Sequence, residues 1–249
     1  MELNKIEKMT VCCSIALAMF LVSPVSANAM HIMEGYLPIG YSIAWGAVCI
    51  PFLVMGFMRL RRIIAENRRT LILLAMSGAF IFVISSLKIP SVTGSSSHMT
   101  GTGLAAILFG VGITSILGII VLIFQAILLA HGGLTTLGAN TFSMAVAGPF
   151  VTVILYKLGK KLKINKMTNV FIAATAGGLF TYCITAAQLA LAHPGEGGVM
   201  DSMVRFLGVF APTQIPIAIL EGILTVLVVI GMEKFATREL AEISFMEAK

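Results

Sequence analysis

The residues best suited to chemistry are four histidines, His31, His98, His131 and His193, and the dipeptide Met30-His31 is the most telling of them. A chain starting NH2-Xaa-His offers three nitrogens in succession: the terminal amine, the amide nitrogen of the histidine and its ring Nδ1. Binding through Nδ1 closes a five-membered and then a six-membered ring. The amide proton must leave, which Ni(II), Co and Cu(II) promote and hard ions such as Mg2+ and Ca2+ do not. The amine must be neutral, and its reference pKa is about 8, so such a site weakens in acid. One equatorial position stays open. His98, in Ser95-Ser96-Ser97-His98-Met99-Thr100-Gly101, is placed to fill it, the alternative being a solvated loop histidine. His131 precedes Gly132-Gly133 and reads equally as a helix-end residue bonded to carbonyls. His193 precedes Pro194-Gly195 and reads first as a helix cap. Among the acids, Glu34 borders the membrane. Glu221 lies inside an apolar run and should face the bundle interior and pair there, in a structural or a functional role. Gln125, Asn140, Gln188 and Gln214 are polar groups suited to bonding between helices. Met99 and Met144 read as packing residues rather than soft ligands.

The chelate requires a free amine at Met30, so the preceding residues matter. Lys5 and Lys8 precede an apolar stretch at 11–22, Pro24 breaks it, and Ala27-Asn28-Ala29 supplies small residues before Met30. This is the order of a secretory signal, and the stretch is shorter than the ~20 residues of a membrane span. Residues 1–29 therefore read as a cleavable signal peptide, against the alternative of an uncleaved first span, and 30–249 as one membrane-embedded domain.

The elements that must hold these residues are membrane helices. The chain is 58% hydrophobic and 11% charged, against about 25% charged in an ordinary soluble domain. The net charge of +6 is confined to short segments between apolar runs, with no aromatic-interleaved basic patch, so a nucleic-acid partner is not expected. Cys49 and Cys183 fall in apolar runs and read as small buried hydrophobes. Apolar spans are expected at 39–58, 70–87, 140–158, 168–192 and 213–232. The segments 59–69, with five arginines, and 157–166, with five lysines, should both be cytoplasmic. That holds only if 103–130 folds as two short helices hinged near Gly110-Val111-Gly112. The expectation is an all-α polytopic bundle of about seven transmembrane helices, with the mature N-terminus outside and the C-terminus cytoplasmic. The N-terminus, the segments 88–102 and 193–212 and His131-Gly-Gly then all fall on the outer side.

There is no GxxxxGK[ST] phosphate loop, no HExxH and no GxSxG, so neither ATP hydrolysis nor a protease is expected of this chain. An intramembrane enzyme would have only Ser95 and Ser97 to offer, with nothing to orient them. A stand-alone secondary permease would need charges along a path, and only Glu221 lies within a span.

The opening Met30-His31-Ile32-Met33-Glu34-Gly35-Tyr36-Leu37-Pro38 resembles that of the CbiM/NikM family, the substrate-capture subunits of energy-coupling factor transporters for cobalt and nickel. The likeness continues through Ser95–Gly103, Phe124–Asn140 and Phe210–Gly222. It implies a bundle of about seven helices with the metal near the outer face. The implied ligands are Met30 (amine), His31 (amide and ring) and His98 (ring). The implied partners are a transmembrane coupling subunit, an ATPase pair and a small accessory membrane subunit. The cargo would be Co2+ or Ni2+ rather than a resident cofactor. The separate signal and the Ser-Ser-Ser-His-Met-Thr-Gly segment resemble the cobalt branch, which implies uptake feeding cobalamin synthesis.

Overall fold

Apolar runs of 17 to 38 residues can satisfy their backbone polar groups in lipid only by folding as helices. A computed structural model describes residues 31–66, 70–90 and 96–243, and the structure is helical almost throughout. The expected signal segment, residues 1–29, and Met30 lie outside the described residues. In order come α1 (Ile39–Glu66), α2 (Thr70–Ser86), the two-residue strands β1 (Ile89–Pro90) and β2 (Ser96–Ser97), α3 (Thr102–Phe109) and α4 (Val111–Leu129). Then follow α5 (Leu137–Lys161, with a π-helical stretch over Thr141–Ala147), α6 (Lys166–Ala192), α7 (Gly198–Phe235) and α8 (Thr237–Glu242). Five of these, α1 and α4 to α7, are long and apolar enough to cross a membrane, and α2 is a shorter apolar helix of 17 residues. Many large apolar side chains point outward, among them Ile43, Ile50, Phe57, Phe124, Ile127 and Leu227. A water-facing surface would not tolerate them in such number, whereas lipid accepts them.

The stretch 103–130 divides as expected. Gly110 takes φ 80° and ψ 173°, breaking the chain between α3 and α4. The glycine has no Cβ, so the positive φ carries no steric penalty. With eight residues, α3 covers only about 12 Å and cannot cross a bilayer alone. The non-helical segment 96–101, which begins with β2, precedes it, so a short stretch of irregular chain followed by a half-length helix brings the backbone to Gly110. There Arg59, Lys157 and Lys160 line one cavity of about 240 Å3 with Gly110 and Ile243. Both basic segments and the end of the described chain thus share one end of the bundle. From Gly110 the 19 residues of α4 run about 28 Å to the opposite end, where His131 follows.

Close helix contacts use small residues. A Cβ on Gly56 of α1 would stand 2.0 Å from the Gly112 carbonyl oxygen of α4, so the backbones touch there. The core is in two main parts. One, near the basic end, joins Leu73, Leu104, Phe109, Ile113, Val170 and Val229. The other, near the histidine end, joins Ile32, Leu37, Ala139, Tyr182, Leu189 and Phe210.

Two expected boundaries move. α1 does not stop at residue 58 but runs on to Glu66 through most of the basic segment, where Arg62 and Glu66 pair at 2.7 Å. Charge sets which side a segment occupies but does not break a helix. The segment 193–212 is largely helical, because α7 begins at Gly198 and continues through Pro212 and Pro216. Asp201 and Arg205 pair at 2.8 Å one turn apart on that added length.

Candidate metal centre

The segment between His31 and Leu37 is a strap laid across the turn from His131 to Asn140, and side-chain bonds to its backbone hold it there. Ile32 N–H donates to Asn140 Oδ1 at 2.9 Å, and Asn140 Nδ2 donates back to the Ile32 carbonyl at 3.0 Å. Thr136 Oγ1 donates to the same carbonyl at 2.7 Å. Glu34 N–H donates to the Gly132 carbonyl at 3.3 Å, and the Glu34 carboxylate accepts from Thr135 N–H. The Thr135 hydroxyl, with the Thr135 and Leu134 N–H groups, holds the Glu34 carboxyl below its ordinary value. Gly133 makes the fit possible, since a Cβ there would lie 2.4 Å from the Glu34 carboxylate. Ile32 and Leu37 seal the strap from below, each about 2% exposed. At the far end His193 Nε2 donates to the Tyr36 carbonyl at 2.7 Å. His193 therefore clamps the strap rather than capping α6 with its ring.

The strap carries His31 into the bundle beside His98 and His131. The ring centres form a triangle with sides of 4.4, 4.7 and 4.8 Å. One donor nitrogen from each ring lies within 4.8 Å of the others, and all three residues are buried. His131 is thus the residue that sequence reasoning undervalued. The α4 terminus is closed by backbone, His131 N–H donating to the Gln125 carbonyl at 3.1 Å, and the ring is left to join the cluster.

The protonation of the His31 and His98 rings follows from their partners. His31 Nε2–H donates to Gln125 Oε1 at 3.2 Å, and Gln125 Nε2 donates in turn to Ser85 Oγ at 2.7 Å. Ser85 Oγ donates to the Ile81 carbonyl, which fixes the direction of the chain. The lone pair of His31 then sits on Nδ1, the nitrogen that an N-terminal chelate needs. His98 Nδ1–H donates to the Met99 carbonyl at 2.8 Å, so its lone pair sits on Nε2, which is buried with no hydrogen-bond partner. A ring N–H bonded to a carbonyl or amide is the usual support for a metal-binding histidine. Burial pushes all three histidines down: His31 well below its ordinary value, His98 to about 4 and His131 to about 2. Neighbouring rings and the Lys88 ammonium lower His31 and His131 further. At neutral pH the rings are uncharged donors.

His98 is itself held by a buried acid. Glu221, on α7, accepts from Thr100 N–H and Gly101 N–H, both at 2.8 Å, and from Thr100 Oγ1. The expectation of a partner for Glu221 is met by the backbone of the His98 segment rather than by a cation. Gln188 donates to the Ala139 carbonyl at 3.1 Å, behind the strap's anchor.

A model described as the cobalt uptake substrate-specific transmembrane region, CbiM, matches residues 31–239. This chain belongs to the CbiM family. It is 61% identical over 246 residues to the cobalt transport protein CbiM of Lachnoclostridium phytofermentans, covering 98% of each chain. It is 51% identical over 247 residues to that of Clostridium cellulovorans, covering 99% of this chain and 95% of the relative. A crystal structure of a truncated transition metal transporter superposes with a TM-score of 0.72 at 27% identity, covering 82% of this chain and 98% of that one. A second transition metal transporter gives 0.71 at 29%, covering 82% and 92%. The match to the CbiM family spans strap, histidine cluster and the Glu221 anchor together.

Proposed function

We propose that this chain is the substrate-capture subunit of an ATP-driven energy-coupling factor importer, taking Co2+ at the outer face through its processed N-terminus. It is a multi-pass membrane protein of a cobalt-transport family and not an enzyme. The observation that carries the reading is the meeting of His31 and His98 in one buried cluster, each ring turned by a hydrogen bond so that a lone pair is free for a metal. Cleavage after Ala29 supplies the Met30 amine. The plane around the ion is then the Met30 amine, the His31 amide nitrogen, His31 Nδ1 and His98 Nε2.

The rest of the site serves that plane. The strap bonds from Asn140, Thr136 and Glu34 hold the peptide so that the second residue is delivered to the cluster. Gln125 holds the His31 ring in the chelating tautomer. Glu221 holds the segment that carries His98. Uncharged histidines remove the repulsion that a dication would meet from imidazolium. The basic segments near residues 59 and 157 face the cytoplasm, which puts the cluster at the outer face and the C-terminus inside. ATP hydrolysis belongs to partner chains, namely an ATPase pair, a transmembrane coupling subunit and a small accessory membrane subunit. The cobalt serves cobalamin synthesis.

The test is metal binding by purified protein together with uptake. His98→Ala should abolish tight binding of one Co2+, and uptake should require the ATPase subunits. Tight stoichiometric binding by His98→Ala, or undiminished uptake without an ATPase, would overturn the reading.

A further inference from the structure

The chelate described above leaves His131 without a task, yet the structure spends effort on placing it. Its Nε2 is buried with no hydrogen-bond partner, in a residue 2% exposed. Leaving such a nitrogen unpaired costs about 1–3 kcal/mol. The backbone on either side is also unusual. Ala130 takes φ 45°, a left-handed conformation that a residue with a Cβ rarely adopts, and Gly132 takes φ 77°. Together they end α4 abruptly and turn the His131 ring in toward His31 and His98, at 4.7 and 4.8 Å between ring centres.

The arrangement of the three rings fixes what position His131 could take. Nitrogens bound to one ion at about 2.0–2.1 Å stand about 2.9 Å apart at adjacent corners and about 4.2 Å apart at opposite ones. The three donors here, all within 4.8 Å of one another, need to close only modestly to share an ion. The three ring centres are nearly equidistant, at 4.4, 4.7 and 4.8 Å, which makes a face of a coordination polyhedron rather than a line across it. Two of the donors, His31 Nδ1 and His98 Nε2, are neighbouring corners of the proposed plane. The other two corners belong to the Met30 amine and the His31 amide nitrogen. His131 therefore stands off the plane.

We propose that His131 Nε2 is an axial fifth ligand and biases the site toward Co2+ over Ni2+. The inference rests on the N-terminal chelate reading. In a strong tetragonal nitrogen field Co(II) has seven d electrons and one of them occupies the orbital along the axis, so a fifth donor is welcome. Ni(II) has eight, fills that orbital and is repelled by an axial donor. A site with four nitrogens in a plane suits nickel well, and adding an axial imidazole tips the balance to cobalt. The same bond satisfies the orphaned nitrogen.

The test is electron paramagnetic resonance of the processed protein loaded anaerobically with Co2+, with Co2+ and Ni2+ affinities measured alongside. One axial nitrogen splits each cobalt line of a low-spin Co(II) spectrum into a triplet. The triplet should be present in wild type and absent in His131→Ala, with the Co2+-to-Ni2+ affinity ratio falling about tenfold or more while Ni2+ binding persists. His131→Asn, which keeps a polar group, should behave the same way and guards against a folding defect in the alanine variant. A wild-type spectrum without nitrogen splitting, or an unchanged metal ratio in both variants, would overturn the assignment. An Ala29 variant that stays uncleaved separates the two claims. If it gives the wild-type spectrum, the chelate reading fails; if it loses the metal while processed wild type lacks only the triplet, the axial assignment alone fails.

Discussion

Replacing Asn140 by alanine tests whether docking of the strap limits capture. Asn140 is 1% exposed and grips both polar groups of Ile32, which is itself 2% exposed. The alanine variant leaves Ile32 N–H buried with no partner, at about 1–3 kcal/mol. The Ile32 carbonyl keeps the Thr136 hydroxyl at 2.7 Å, so losing the Asn140 amide there costs only about 0.5–1.5 kcal/mol. Together these are about 1.5–4.5 kcal/mol against the docked strap. If the chelate forms only when the strap is docked, the apparent affinity falls with the docked fraction, by up to about 2000-fold where the variant's strap is mostly undocked. His193→Ala removes one bond at the exposed end of the strap, and should weaken binding by about tenfold or less. Calorimetric titration of Co2+ into both variants gives the two numbers, and amide exchange at Ile32 reports the docking directly. Binding by Asn140→Ala within about threefold of wild type, with Ile32 exchange accelerated, would refute the coupling of strap to chelate.

Three further outcomes follow from the same geometry. Gln125→Leu removes the acceptor that holds the His31 ring in its chelating tautomer. Co2+ affinity should fall about 10- to 100-fold, with a loss of apo stability of about 1–3 kcal/mol for the one N–H left unpaired. Glu221→Ala leaves two buried N–H groups and the Thr100 hydroxyl without an acceptor. The apo protein should lose several kcal/mol, seen as a clear drop in melting temperature. Metal-free protein should also lose stability as pH falls below about 6.5, where unfolded histidine takes up protons that buried His98 refuses until about 4. The unfolded state binds more protons in that window, so stability rises with pH, by up to about 1.4 kcal/mol per unit for each such histidine. Thermal melts of the apo protein between pH 4 and 7 check the slope, and a flat profile would contradict the buried neutral cluster.

The sequence carried much of this in particular residues. The two basic segments could share one side only if the run 103–130 were divided, and Gly110 divides it. Met30-His31 reads as the start of a chelate from residue types alone, while His98 becomes a ligand candidate chiefly through the family resemblance; His31 and His98 do meet in the fold, and Met30 lies outside the described residues. His131 was not, because a histidine before Gly-Gly at a helix end has a ready role bonding carbonyls, and only the three-dimensional fold shows that backbone takes that role. A usable signal existed in its position on the same predicted side as His31 and His98. The lengths of α1 and α7 were understated because a basic segment and two prolines read as interruptions. The pairs Arg62–Glu66 and Asp201–Arg205, four residues apart, were the helical signals in those stretches. The anchoring of the His98 segment by Glu221 joins residues about 120 apart, and no local pattern encodes it.

The most direct measurement is N-terminal sequencing of the membrane-extracted protein together with its metal content. The account predicts a chain beginning Met30-His31 with one tightly held cobalt ion, and loss of that ion in an Ala29 variant that remains uncleaved. A metal-loaded protein that begins at any other residue, or an uncleaved variant that still holds cobalt tightly, would contradict it.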